Sequence, residues 1–285
     1  KNSKHVILAG DDDQAIYGWA GADVQRFQEE PAKDIVLPQS YRVPQAVQQI
    51  ADQILNRIPD DRRIKKQWAP RPETGNVDHI TSIEDAPLHQ SDWLILARTN
   101  DKLIKLKSIL RDIPIYFEIK GRKSYKTRLY TAIKNYTRWT KGDKLSLSEC
   151  KDLFEYLELD QELKEERMYD LQEFGYKTTD EWYEVFKSDP EECLYIREML
   201  RSGEKLDNPA RVKLSTIHAA KGGEATNVLI ILDNTKKIRE AIDKSEDKQD
   251  EEHRVWYVGV TRTKQNLYIM TAKQEDRGYD IESIT

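Results

Sequence analysis

The chain has 285 residues, of which 38% are hydrophobic and 34% charged, and its formal net charge is −5. That length can bury one large core or two modest ones. The two cysteines, Cys150 and Cys193, form no C-x-x-C pair, which argues against a disulfide framework or a thiolate metal site and points to a reduced, cytoplasmic setting. No apolar run approaches the roughly 20 residues that span a bilayer, and the first residues show no signal-peptide pattern, so no membrane is expected among the partners.

Taken in chain order, His5 to Ala9 reads as a buried strand and Asp34 to Pro38 as a second, short one. Pro44 is expected to open a helix, because Val47, Ile50, Ala51 and Ile54 recur at helical spacing and continue the apolar face to Ile58. Pro59-Asp-Asp and Pro70 to Gly75 mark loops. Asn76 to Ile83 and Trp93 to Ala97 read as strands, and Lys102 to Leu110 as a helix. This alternation predicts a mostly parallel sheet covered by helices.

From about Gly121 to Leu206 the chain is highly charged and nearly free of β-branched runs, so a helical subdomain is expected there. Strand signals return at Val212 to Thr216, Asn227 to Leu232 and Asn266 to Met270, while Lys236 to Arg254 reads as a mobile loop or an exposed helix. The predicted architecture is an α/β domain interrupted by a mostly helical insertion.

Charge is unevenly distributed. Arg98 to Lys144 holds 14 Lys/Arg against 4 Asp/Glu, whereas Asp160 to Asp207 holds 7 against 15. The basic stretch interleaves Tyr116, Phe117, Tyr125, Tyr130, Tyr136 and Trp139, a mixture that suits a phosphate-tracking surface with stacking platforms. The competing reading is a solvated basic face over an aromatic core, since Ile133, Tyr136 and Trp139 fall at helical spacing.

The densest chemistry lies in Gly10 to Gly21, which reads Gly-Asp-Asp-Asp-Gln-Ala-Ile-Tyr-Gly-Trp-Ala-Gly. Ligands gather at the carboxyl ends of strands in open α/β sheets. Gln14 can reach a phosphate there, and Tyr17 and Trp19 can stack on bases. Asp11, Asp12 and Asp13 could in principle hold magnesium, but the neighbouring glutamine and aromatics argue against it and no metal ligand is assigned. Arg42 and Arg262 each offer a planar fork of donors that suits phosphate oxygens.

The Gly10 to Gly21 run closely resembles the third motif of UvrD/Rep-type superfamily 1 DNA helicases, which reads roughly G-D-x-D-Q-x-I-Y-x-W-R-G-A. Leu37 to Arg42 resembles the next motif, Val212 to Glu224 the fifth and Glu251 to Arg262 the sixth. The resemblance implies a RecA-like parallel sheet with helices on both faces. It further implies that residues 1–30 end a first RecA-like domain, that 31–120 and 207–285 form a second, and that 121–206 are its inserted helical subdomain.

It also implies roles. Gln14 would sense the γ-phosphate of ATP, Arg42 and Arg262 would neutralise charge during hydrolysis, Tyr41 would stack on adenine and Glu224 would accept a hydrogen bond from the ribose. Tyr17, Trp19, Arg98, Thr216 and His218 would contact single-stranded DNA. Ala20 replaces the usual arginine and Gly223 the usual leucine.

The chain contains no G-x-x-x-x-G-K-[ST] phosphate loop and no Asp-Glu pair that follows an apolar strand run as a Mg2+-holding pair would. The resemblance places both in a preceding N-terminal RecA-like portion. The expectation is therefore the C-terminal portion of an ATP-dependent DNA helicase that moves 3′ to 5′ on single-stranded DNA and at duplex junctions, inefficient in hydrolysis by itself. The alternatives are a non-catalytic nucleic-acid-binding remnant or the helicase part of a helicase-nuclease.

Overall fold

The computed structural model describes residues 7–21, 35–159, 164, 167–177, 179–272 and 278–281. It divides into two units, the first from residues 1–106 and 211–285, the second from residues 107–210.

In the first unit, Ile7 to Gly10 are exposed and irregular, with Ile7 at 93% exposure, so the described part of the strand expected over His5 to Ala9 is absent. A strand needs neighbours for its backbone donors and acceptors, and among the described residues none pairs with this stretch. A 3-10 turn at Asp12–Gln14 follows, capped by Asp11, whose carboxylate accepts the Asp13 N–H at 3.2 Å. A second turn, Gly18–Ala20, ends on left-handed Gly21.

Strand β1 spans Gln39–Pro44, later than the expected Asp34 to Pro38, of which residues 35–38 are exposed and irregular. Ser40 shapes it, its hydroxyl oxygen accepting the N–H groups of Arg42 and Val43 at 3.3 and 3.1 Å. Helix α1, Gln45–Leu55, begins one residue after Pro44 and buries Val47, Ile50, Ala51, Ile54 and Leu55. Pro44 caps it from an extended conformation, where its missing N–H costs nothing. The helix stops short of Ile58, which is buried beyond its end.

Strand β2, Ala69–Arg71, pairs in parallel with β1. Strand β3, Asn76–Ile80, ends before Ile83 because Ser82 and Asp85 form a capping box around a 3-10 turn. Strand β4, Trp93–Ala97, matches its expected span and is buried at every residue. Helix α2, Asn100–Asp112, contains the boundary between the units.

After the end of α2, the second unit continues with a hairpin, β5 Phe117–Ile119 and β6 Arg122–Lys123, turning through Lys120 and Gly121 with φ of 52° and 72°. Two consecutive positive φ angles suit the right-handed twist of a tight hairpin. Helices α3 Thr127–Thr140, α4 Leu147–Leu157, α5 Trp182–Val185 and α6 Pro190–Arg201 follow. Ser146 with Glu149, and Asp189 ahead of Pro190, supply the helix starts of α4 and α6.

The aromatics of the basic stretch form the interior of this unit. Tyr116, Tyr125, Tyr130, Tyr136 and Trp139 share one cluster with Leu129, Leu153 and Ile196. These five and Phe117 are all buried, so the expected stacking platforms are unavailable to a nucleic acid. Burial of their ring area outweighs any surface role, as helical spacing of aromatics usually signals. Cys150 and Cys193 are also buried, free thiols.

The chain then returns to the first unit through β7 Val212–Thr216, β8 Ala225–Ile231, α7 Lys236–Ile242, α8 Glu246–Val260 and β9 Thr263–Met270. Of the mobile loop or exposed helix expected over Lys236 to Arg254, α7 and the first turn of α8 are an exposed helix, but Asp250 and Glu252 to Arg254 are buried. Strands β3, β9, β8, β4 and β7 lie side by side in that order, each pairing parallel. Near-continuous burial of β4 and β8 is what parallel strands covered on both faces require. Val47 and Ile54 of α1 and Trp256 and Val260 of α8 join Leu94, Leu96, Val228, Ile230, Leu267 and Ile269 in one core.

Near the end of the chain, Tyr279 stacks on Trp256 at 5.0 Å between ring centroids, and its hydroxyl lies 2.7 Å from His253 Nδ1. Among the described residues no helix is long and apolar enough to cross a membrane.

Candidate functional site

The Gly10 to Gly21 segment lies against the loop that leaves β7. The Tyr17 hydroxyl donates to the His218 carbonyl at 2.6 Å, and the two rings meet edge to face at 6.0 Å. Lys221 Nζ donates to the Gln14 carbonyl at 2.8 Å and sits 5.3 Å from the Tyr17 ring centroid. Residues 201 positions apart in sequence are thus fastened together by backbone acceptors, which fixes both loops without consuming the Gln14 side chain.

That side chain bridges two charged groups. Gln14 Nε2 donates to Asp11 Oδ2 at 2.5 Å, and Gln14 Oε1 accepts from Arg262 Nη2 at 3.4 Å. Arg262 is 1% exposed. Its remaining hydrogen bonds go to neutral oxygens: Nε to the Val258 carbonyl at 2.9 Å and Nη2 to Thr261 Oγ1 at 3.2 Å. Burial lowers its pKa to about 10, and the neighbouring Arg42 guanidinium adds to the shift.

Arg42 sits in the second half of β1. Burial holds its pKa below the ordinary arginine value, partly offset by the Glu224 carboxylate, and its Nε is buried without a hydrogen-bond partner among the described residues. Two guanidinium groups held close, with a buried donor unsatisfied, form an arrangement that a polyanion completes. Glu224 is near enough to favour the charged form of both arginines, while its own carboxylate meets Lys264 Nζ at 3.0 Å. Tyr41, next to Arg42 in sequence, is 86% exposed. The structure therefore sets Arg262 against Gln14, with Arg42 and Glu224 close to Arg262.

The other anticipated residues are placed less uniformly. Thr216 ends β7, and its hydroxyl oxygen accepts the Ala219 N–H at 3.3 Å. His218 is half-buried, and burial followed by the Arg98 charge pushes its pKa below the ordinary histidine value. Arg98 directs its Nε at both oxygens of the buried Glu252, at 3.1 and 3.0 Å. The Trp19 backbone lies in the Gly18–Ala20 turn, and its side chain lies outside the described residues.

Several residues of the site escaped the sequence reading. Lys66 Nζ contacts Asp11 at 2.6 Å, Asp13 at 3.2 Å and also Asp12, while Arg63 Nε meets Asp13 at 2.8 Å. The three carboxylates, with oxygens within 4.8 Å of one another, are therefore held by side-chain cations. The signal in the sequence was charge complementarity between Asp11-Asp-Asp13 and Arg62-Arg-Ile-Lys-Lys66.

The chain matches the family model for the UvrD-like helicase C-terminal domain over residues 122–274. It is 27% identical over 158 residues to the ATP-dependent DNA helicase PcrA of Staphylococcus epidermidis, covering 47% of this chain and 21% of that protein. A PcrA from Leuconostoc citreum is 27% identical over 154 residues, covering 45% of this chain and 20% of that protein. One from Staphylococcus aureus is 25% identical over 158 residues. The matched stretch thus spans about a fifth of each of these relatives' length.

Proposed function

Because this chain belongs to the family of UvrD-like helicase C-terminal domains, we propose that it is the nucleotide-responding half of an ATP-driven motor that moves along single-stranded DNA. The observation that carries this reading is the buried Arg262 set against Gln14 Oε1 with the half-buried Arg42 guanidinium close to it, Arg42 Nε having no hydrogen-bond partner among the described residues. ATP hydrolysis develops negative charge on the transferred phosphoryl oxygens, and fixed arginines stabilise that charge without reorganisation. Arg42 and Arg262 would supply it. Gln14 Oε1 would exchange its contact with Arg262 for one to the γ-phosphate region.

On the same reading, Tyr41 stacks on adenine and Glu224 turns from Lys264 to the ribose hydroxyl. The phosphate loop and the carboxylates for Mg2+ belong to a separate RecA-like portion. The parallel sheet is then the second RecA-like domain, residues 31–120 and 207–285, with 121–206 inserted in it and 1–30 closing the first. Tyr17, Trp19, Thr216 and His218 contact the strand, and the guanidinium of Arg98 does so beyond its hold on Glu252. Since Tyr17 and His218 are joined to each other and to the Gln14 segment, a change at the nucleotide reaches the strand through a few bonds. The direction is 3′ to 5′, toward duplex junctions.

The test is hydrolysis of ATP by the whole protein that carries this chain. Single-stranded DNA should stimulate it, and Trp19→Ala should weaken stimulation, since base stacking contributes about 1–3 kcal/mol per base. Hydrolysis indifferent to DNA would overturn the coupling to a strand, and no hydrolysis with DNA present would overturn the proposal in favour of a binding module without turnover.

A further inference from the structure

Asp11, Asp12 and Asp13 are an unfavourable grouping. Asp12 and Asp13 are 5% and 2% exposed, and all three carboxylates crowd within 4.8 Å. Like charges withdrawn from water repel strongly unless cations accompany them. Lys66 accompanies all three, and Arg63 reaches Asp13 through Nε and, at 3.5 Å, through Nη2. Burial works against the Lys66 charge, yet its hydrogen bonds to Asp11 and Asp12 outweigh that and hold its pKa above the ordinary lysine value.

The consequence reaches beyond neutralisation, because Asp11 has two oxygens with different duties. Oδ1 accepts from Lys66 at 2.6 Å and from the Asp13 N–H at 3.2 Å. Oδ2 accepts from Gln14 Nε2 at 2.5 Å. A carboxylate is an acceptor only, so the Gln14 amide must present its NH2 to Asp11 and its carbonyl oxygen in the other direction. That other direction is Arg262 Nη2, 3.4 Å away. With Asp11 free to rotate or protonated, the amide could flip and aim a donor at a guanidinium, which has no acceptor.

We propose that Lys66 is a positioning residue for the nucleotide response: by pinning Asp11 it sets the amide orientation of Gln14, and so presents the Gln14 oxygen to Arg262. This rests on the roles given above to Gln14 and Arg262. Lys66 acts through Asp11, which it contacts directly. Arg63 shares the neutralisation but not the orientation, since its contact is to Asp13. The loop carrying residues 63–66 thereby becomes part of the machinery, although no motif marks it.

The experiment measures single-stranded-DNA-stimulated ATP hydrolysis and urea unfolding of the whole protein in Lys66→Met, Lys66→Met with Asp12→Asn, Gln14→Ala and the Lys66→Met/Asp12→Asn/Gln14→Ala combination. Asp12→Asn removes one anion together with the lost cation, so that the variant folds even if Lys66→Met alone does not. The expected result is a roughly tenfold fall in kcat for Lys66→Met/Asp12→Asn, with KM for ATP within about twofold, as loss of one oriented charge-assisted contact implies. Adding Gln14→Ala should then lower kcat by less than about threefold, because both changes act on one contact. Wild-type kcat in the folded Lys66→Met/Asp12→Asn variant, or losses that multiply when Gln14→Ala is added, would overturn the proposal. Arg262→Ala run alongside separates the two levels. Hydrolysis surviving it removes the underlying reading of the site, whereas its collapse beside a normal Lys66 variant removes only the role of Lys66.

Discussion

Replacing Arg98 by methionine keeps much of its apolar stem and deletes the cation that faces Glu252. Glu252 is 3% exposed and accepts from Arg98 Nε at 3.1 and 3.0 Å and from Trp256 Nε1 at 2.8 Å. Breaking a buried ion pair typically costs about 3–5 kcal/mol, because the remaining charge stays buried alone. Here Trp256 continues to donate, and the Arg98 side chain is itself 18% exposed, so a loss of about 2–4 kcal/mol is expected at pH 7. With a urea slope near ~2 kcal/mol/M, the unfolding midpoint should fall by about 1–2 M.

Glu252→Gln added to Arg98→Met should recover most of that loss, since no charge is then left behind. Burial already raises the Glu252 pKa against the opposing pull of Arg98. Removing the arginine raises it further, so the folded state binds a proton that the unfolded state has released. The deficit is therefore greatest above the folded pKa and shrinks as pH falls toward the ordinary glutamate range near ~4.3. An unchanged midpoint in Arg98→Met, or no recovery with Glu252→Gln, would refute the reasoning.

His253 carries a second pH dependence of opposite origin. Burial, with Arg57 and Arg254 nearby, lowers its pKa to about 4. The stability it contributes is complete above pH ~6.5 and is lost as pH falls through 4, on the order of 2–3 kcal/mol. Urea midpoints measured from pH 7 to 4 should therefore drop less steeply in His253→Gln than in wild type, and parallel curves would contradict this. Gly75 has φ of +69°, and a Cβ there would lie 2.5 Å from Pro44 Cγ and 2.9 Å from the Gln265 carbonyl oxygen. Gly75→Ala should lower the stability measured by urea unfolding by roughly 2–4 kcal/mol, combining positive-φ strain with a clash against backbone. A loss below ~1 kcal/mol would show that the Pro44 contact yields easily.

What the sequence made legible was the chemistry packed into short runs. Gln14, Arg42 and Arg262 could be named because each sits in a run that resembles a family motif, and the structure sets Arg262 against Gln14 with the Arg42 charge close to Arg262. Strands β4 and β7 could be placed because a parallel strand buried on both faces is a short apolar run with sharp ends. The stretch His5 to Ala9 has the same pattern, but burial depends on neighbouring strands that a local reading does not supply. Residues 7–9 are accordingly exposed.

Aromatics at helical spacing were open to two readings, and Tyr136 and Trp139 settled into a core because burying their rings outweighs any electrostatic advantage of the lysines around them. Pairings over long separations were hidden altogether. Lys66 with Asp11 spans 55 positions and Arg98 with Glu252 spans 154. Complementary charge is visible in a sequence, but which acid meets which base is decided by the fold.

The measurement that bears most directly on the central claim is single-stranded-DNA-stimulated ATP hydrolysis by the whole protein with Arg262→Ala and with Arg262→Lys. Arginines that stabilise phosphoryl transfer account for about 10³–10⁵ in kcat. Arg262→Ala should therefore lose at least ~10³-fold, and Arg262→Lys should recover little, because a point charge does not replace the fork that reaches Val258, Thr261 and Gln14 together. Hydrolysis within tenfold of wild type in a folded Arg262→Ala protein would contradict the account.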